Sequence, residues 1–136
     1  MSAARIVLIE DNPADILLVE LALKENGISY EMTKFASGQE AVRVLCGPEG
    51  AAEDSFIPDV ILLDLNTPKS DGFQVLMQLK QSPLLAQVPI AIISSSAANS
   101  DRHRSALQDV RYIQKPSNVE TFFATVGQAV KEMLHA

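Results

Sequence analysis

Three short, almost purely apolar runs constrain the fold of this chain more than any other feature: Ile6-Val-Leu-Ile9, Val60-Ile-Leu-Leu63 and Pro89-Ile-Ala-Ile-Ile93. Each is too short for a helix and rich in β-branched residues, which lose side-chain freedom in a helix but fit a pleated strand. A strand with one face in water alternates apolar and polar residues, whereas a run without alternation is covered on both faces. The intervening segments have helical spacing. Ile16, Leu17, Val19, Leu21 and Leu23 recur within Ala14 to Asn26, and Phe73, Leu76, Met77 and Leu79 within Phe73 to Gln81. Buried strands alternating with amphipathic helices predict a parallel sheet with helices on both sides.

The remainder extends this plan. Ser29 to Phe35 reads as a weaker strand, and Ser37-Gly38-Gln39-Glu40 leads a helix to Leu45. Asp101 to Leu107 reads as a helix, Arg111 to Gln114 as a short strand and Ser117 to Leu134 as a closing helix. The expected fold class is α/β: a flavodoxin-like (βα)5, doubly wound parallel five-stranded sheet in the order 2-1-3-4-5. Two helix starts carry their own signals. Asn12-Pro13 sets a cap residue before a proline at the first helical position, and Ser117-Asn118-Val119-Glu120 has the Ser-x-x-Glu spacing of a capping box. The loop Gly47 to Pro58 is the one long connection, and no stretch has the composition of an interdomain linker, so residues 1–136 are expected to form one domain.

Charge narrows the partners. Seventeen acids against eleven Lys and Arg give a net charge of -6, which repels phosphodiester backbones and anionic lipid, so neither nucleic acid nor a membrane is an expected partner. One cysteine, Cys46, cannot form an intrachain bridge, and no apolar run approaches the roughly 20 residues of a membrane span. A cytoplasmic protein is expected.

The chemistry lies in the polar residues that end the strands: Glu10-Asp11 after the first, Asp64 after the third, Ser94-Ser95-Ser96 after the fourth, and Lys115-Pro116 after the fifth. Ligands of open α/β sheets bind outside the carboxyl ends of the strands. Neighbouring strands stand ~4.8 Å apart, so these groups can converge. One acid at a strand end is usually a solvated residue or a cap; agreement across four strands is the signal of a site. Clustered carboxylates call for a cation, and a hard, oxygen-rich site with few protein ligands suits Mg²⁺, which keeps waters and binds beside phosphate. Mg²⁺ and Lys115 together balance Glu10, Asp11 and Asp64, leaving the site able to accept an anion. Asp64, ending the central strand, is the candidate nucleophile for a phosphoryl group, with Glu10 and Asp11 on the metal, Lys115 opposite, and Ser94 bonding a phosphoryl oxygen.

These residues resemble the receiver domain of two-component response regulators. The matching pieces are Glu10-Asp11, the segment from Asp59 through Asp64 to Asp71-Gly72, Ser94, and Tyr112-Ile-Gln-Lys115-Pro116. Glu10-Asp-Asn-Pro-Ala-Asp15, Leu63 to Gly72 and Val110 to Pro116 look most like the small single-domain regulators paired with bacterial and cyanobacterial phytochrome histidine kinases. The resemblance implies Asp64 as phosphoacceptor, Glu10 and Asp11 as the acidic pair, and the backbone carbonyl of Asn66 as a further metal ligand. It also implies Lys115 as the phosphate-facing lysine, Ser94 and Tyr112 as switch residues, and a cis bond before Pro116. Phosphorylation would then draw Ser94 inward and turn Tyr112 toward the core. The face read by partners, by homodimerisation or by a downstream phosphotransfer protein would comprise 101–107, 111–114 and 117–134. Such a protein catalyses only its own phosphorylation and dephosphorylation. Thr67 and Ser95 depart from the commonest family residues, and Ser95 is expected to narrow water access to a phosphorylated Asp64.

Other classes fit less well. A Mg²⁺-dependent phosphohydrolase with an aspartyl nucleophile is the alternative, but Asn66 stands where the haloacid-dehalogenase type carries a second acid. A flavin carrier would lack ring-stacking residues and a phosphate loop after the first strand. Ser94-Ser95-Ser96 lacks the elbow of a serine hydrolase, and His103 and His135 have no second ligand at metal-binding spacing.

Overall fold

The computed structural model describes residues 3–46, 57–64, 72–82, 85, 87–94, 111–114 and 118–134. Five strands, β1 (Ala4–Ile9), β2 (Tyr30–Phe35), β3 (Val60–Asp64), β4 (Ile90–Ser94) and β5 (Arg111–Gln114), form one sheet in the order β2-β1-β3-β4-β5, with every neighbouring pair parallel. The helices are α1 (Pro13–Glu25), α2 (Gly38–Cys46), α3 (Gly72–Gln81) and α4 (Val119–Leu134). The helix expected over 101–107 lies outside the described residues, as does the loop core over 47–56.

The unbroken apolar runs are explained by two cores on opposite faces of the sheet. Ile6, Leu8, Val60, Leu62, Ala91, Ile93 and Ile113 point to one side, where Val19, Ala22 and Leu23 of α1 and Phe122, Val126 and Val130 of α4 cover them. The alternate residues Val7, Ile9, Ile61, Leu63, Ile90 and Ile92 point to the other, against Ala41 and Leu45 of α2 and Val75, Leu76 and Leu79 of α3. Period-two alternation therefore exists in β1, β3 and β4, but it sorts apolar residues between two interiors rather than between core and water.

Helix ends follow side-chain chemistry. Asn12 caps α1, its Oδ1 accepting from the backbone N–H of Ala14 at 2.8 Å and of Asp15 at 3.3 Å. The helix closes at Gly27, which adopts φ +70°, with Gly27 N–H donating to Lys24 O and Ile28 N–H to Leu23 O, both at 3.0 Å. This paired closure satisfies carbonyls that the helix itself cannot reach. Ser37 Oγ caps α2 by accepting from Glu40 N–H at 3.2 Å. For α4 the cap is Asn118, one residue beyond the Ser117 of the predicted capping box. Its Oδ1 accepts from Thr121 N–H at 3.1 Å, and its carbonyl takes the first helical bond from Phe122 N–H. Asn is as good a cap as Ser, so the one-residue shift carries little cost.

Candidate functional site

Strand register builds the site. In the β1–β3 ladder Ile9 stands opposite Leu63, so Glu10 and Asp64 come one step later on adjacent strands. Glu10 remains on the ladder through its N–H, which donates to Phe35 O at 2.9 Å. Glu10 has the parity of Ile6 and Leu8, and Asp64 that of Val60 and Leu62, the face on which α1 packs. Both carboxylates consequently lie on the same side at the carboxyl end of the sheet. Glu10 and Asp64 are each only 3% exposed, uncommon values for acids and ones that require specific surroundings.

A third acid joins them. Oxygen atoms of Glu10, Asp15 and Asp64 all lie within 4.8 Å of one another, and Asp15 is half-buried. Asp15 belongs to the first turn of α1, where the Asn12 cap holds its N–H. The sequence pattern pairs Glu10 with Asp11. In the structure Asp11 is exposed, in the link between β1 and α1, and it is Asp15 that completes the group of mutually close carboxylates.

Ser94 and Tyr112 are placed by backbone. Asp64 stands opposite Ile93 in the β3–β4 ladder, and Ser94, opposite Gln114, is the next residue and the last of β4. Tyr112 lies in β5 opposite Ile92. Strands 1, 3, 4 and 5 thus end side by side, as the expected site requires. The Ser94 hydroxyl and the Tyr112 ring lie outside the described side chains. Asn66, Thr67, Ser95, Lys115 and the Lys115–Pro116 bond lie outside the described residues.

Three carboxylates at this separation oppose one another. At an effective dielectric of about 20, each ionised pair costs on the order of 3 kcal/mol, a cost that a positive charge among them offsets. The donor set, all oxygen and buried or half-buried, fits a small, hard divalent cation.

Comparisons with known proteins agree with this fold. The model of a family described as the response regulator receiver domain matches residues 6–127. The chain is 37% identical over 122 residues to the response regulator Rcp1 of Synechocystis sp., covering 89% of this chain and 82% of Rcp1. The phosphorylated cyanobacterial phytochrome response regulator RcpA superposes with a TM-score of 0.83 at 34% identity, covering 98% of this chain and 95% of that one. The Mn²⁺-bound form of Rcp1 gives 0.80 at 34% identity, with 98% and 96% covered. The receiver domain of sensor histidine kinase PA1611 from Pseudomonas aeruginosa PAO1, which holds a magnesium ion in its active-site cleft, gives 0.74 at 26% identity, with 99% and 100% covered.

Proposed function

We propose, from the premise that this chain belongs to the response regulator receiver domain family of two-component signalling, that it takes a phosphoryl group from a sensor histidine kinase onto Asp64 with Mg²⁺ bound. The observation that carries the reading is the buried Asp64 carboxylate at the end of the central strand, within 4.8 Å of oxygens from two further acids. A carboxylate oxygen of Asp64 attacks phosphorus in line, the phosphorus–nitrogen bond to the donor imidazole breaks, and its electron pair leaves with the histidine. The product is a mixed anhydride on Asp64.

A divalent cation bound here supplies neutralisation of the phosphoryl oxygens. Glu10 and Asp11 would hold it together with Asp64 and the carbonyl of Asn66. Lys115 would balance the opposite oxygen, Ser94 would bond the phosphoryl group, and Tyr112 would report the change at the surface. Magnesium in the PA1611 receiver domain and manganese in Rcp1 support an oxygen-ligated divalent cation in this chain too. RcpA, named as a phytochrome response regulator, supports a phytochrome-type kinase as the phosphate donor. The match spans 89% of this chain and 82% of Rcp1, which supports the receiver reading along most of both.

The test is direct. Incubation with acetyl phosphate or phosphoramidate and Mg²⁺ is expected to add one phosphoryl group to the intact mass of the protein and none to Asp64→Asn. Addition that survives this substitution removes Asp64 from the role.

The output surface is proposed to include β5 and α4. A groove of about 510 Å³ lies between them, lined in part by Ile113, Thr125 and Ala129 and by the Arg111–Glu132 ion pair at 2.6 Å. Homodimerisation or docking of a downstream protein would use this face. Sedimentation is expected to show self-association on phosphorylation; a monomer at high concentration in both states leaves only a different protein as partner.

A further inference from the structure

We propose that the outer edge of β2 pairs with β2 of a second copy of this chain, antiparallel and two-fold about Met32, so that one sheet continues across a dimer. β2 and β5 are opposite edges of the sheet, so this surface is separate from the β5–α4 face read above as the output surface. On its inner side every residue of β2 is in register with β1. Ala4 N–H donates to Ser29 O and Glu10 N–H to Phe35 O, both at 2.9 Å, so the backbone groups of Ser29, Glu31, Thr33 and Phe35 point toward β1. Those of the alternate residues Tyr30, Met32 and Lys34 consequently point outward, and among the described residues no strand meets them. Natural edge strands are commonly protected by a proline, a bulge or a very short length. β2 has none of these, running 6 residues without proline and in unbroken register. Its two charges, Glu31 and Lys34, are exposed, and they discourage a partner only where like charge meets like.

The strand's own sequence selects a second copy as the occupant. A two-fold pair centred on Glu31 or on Lys34 sets like charges directly opposite, which is destabilising. Centred on Thr33, the pair sets Lys34 against Met32 and Glu31 against Phe35, leaving both charges beside apolar groups. Centred on Met32, it sets Lys34 opposite Tyr30 and Glu31 opposite Thr33, so each charge meets a polar partner. The same centre brings the outward-facing Tyr30, Met32 and Lys34 against Lys34, Met32 and Tyr30 of the second copy, where each pair can exchange both backbone hydrogen bonds. Electrostatics on the α1 side favours this register too. Tyr30 hydrogen-bonds Glu20, and Lys34 approaches the same carboxylate at 3.7 Å. Pairing carries Lys34 of the second copy to Tyr30, and hence to this carboxylate, so that each Glu20 stands between two ammonium groups. β2 is already held extended by β1, with Tyr30 and Met32 packed against the core, so pairing has little left to order. A two-fold contact of this kind closes on itself and gives a dimer rather than a filament.

Amide hydrogen exchange of the full chain, followed by NMR at micromolar and at millimolar concentration without a phosphoryl donor, tests the pairing. The outward-facing amides of Met32 and Lys34 are expected to slow by about tenfold or more at the higher concentration. Those of Glu31 and Thr33, bonded to β1 in both states, are expected to stay constant, and sedimentation to show the matching shift from monomer to dimer. Lys34→Pro removes an outward N–H at an exposed position and is expected to keep the chain monomeric. Lys34→Glu, which brings an acid beside Glu20, guards against a folding failure of the first variant and is expected to do the same. Register is read by mild oxidation of Met32→Cys in a Cys46→Ser background. Opposite residues of a hydrogen-bonded pair stand ~5.5 Å apart at Cα, within disulfide reach, so a covalent dimer is expected. Glu31→Cys, displaced from its own counterpart beyond the roughly 7 Å limit of a disulfide, is expected to give little. The proposal is overturned by a monomer at millimolar concentration, by a dimer in which the Met32 and Lys34 amides exchange as fast as in the monomer, by a dimer that survives both folded Lys34 variants, or by equal cross-linking of the two cysteine variants.

Discussion

At the scale of single residues, polar groups in this protein are governed by what stands beside them. Asp11 and Asp15 are the same residue type four positions apart, yet one is exposed and the other turned toward buried Glu10 and Asp64. Identity alone does not separate them; position in the first turn of α1 does. Tyr30 shows the same dependence away from the site. Burial, together with the negative charge and hydrogen bond of Glu20, holds its phenol above the ordinary value of 10.0, while Lys34 approaches Glu20 at 3.7 Å. The folded chain thus holds this proton more tightly than the unfolded chain. Its contribution to stability is complete below pH 10 and is lost as pH rises through the folded value. Urea midpoints are accordingly expected to fall more between pH 8 and pH 11 in the wild type than in Tyr30→Phe. Equal losses would contradict this account. At the surface, hydrogen bonds from Gln128 and Arg111, with the Arg111 charge, hold the Glu132 carboxyl below its ordinary value; this pair is exposed and contributes to the shape of the groove more than to stability.

Among elements, α1 and α4 pack together over one face of the sheet, in the same core cluster. Asn26 fastens the C-terminal end of α1, its Nδ2 donating to Ala22 O at 2.7 Å and to Phe123 O of α4 at 3.0 Å. Gly127 faces this amide so closely that a Cβ there would overlap its Cγ and Nδ2. The Asn26 side chain cannot move aside without breaking both bonds. Gly127→Ala is therefore expected to lower stability by about 1–3 kcal/mol, measured by urea unfolding. An unchanged midpoint would show that the two helices separate more easily than their hydrogen bonds suggest. The elements themselves were legible in the sequence because each has a local cause: unbroken apolar runs for β1, β3 and β4, Asn12-Pro13 for α1, and Ser37 for α2. The start of α4 was legible only to within one residue, since Ser117 and Asn118 are both competent caps and the first helical hydrogen bond chose between them.

For the whole molecule, a cation held by these carboxylates would favour the folded chain, because Glu10, Asp15 and Asp64 are brought together only there. Titrated Mg²⁺ is expected to raise the melting temperature, by about 2.7 kcal/mol of stability at one hundred times its dissociation constant and on the order of 10 °C for a domain of this size. A flat response in differential scanning fluorimetry would count against a cation site at these acids. Family, sheet order and the end of the sheet at which Glu10 and Asp64 meet were all set by the linear pattern. Apolar periodicity and the residues that end each run are local properties, and parallel winding leaves little freedom in how strand ends line up. Three other features needed tertiary structure: the choice of Asp15 as the third close carboxylate, the clasp of Asn26 against Gly127, and the groove between β5 and α4. Each depends on the angle and depth at which a helix meets a neighbour, which are set by the summed packing of residues far apart in the chain.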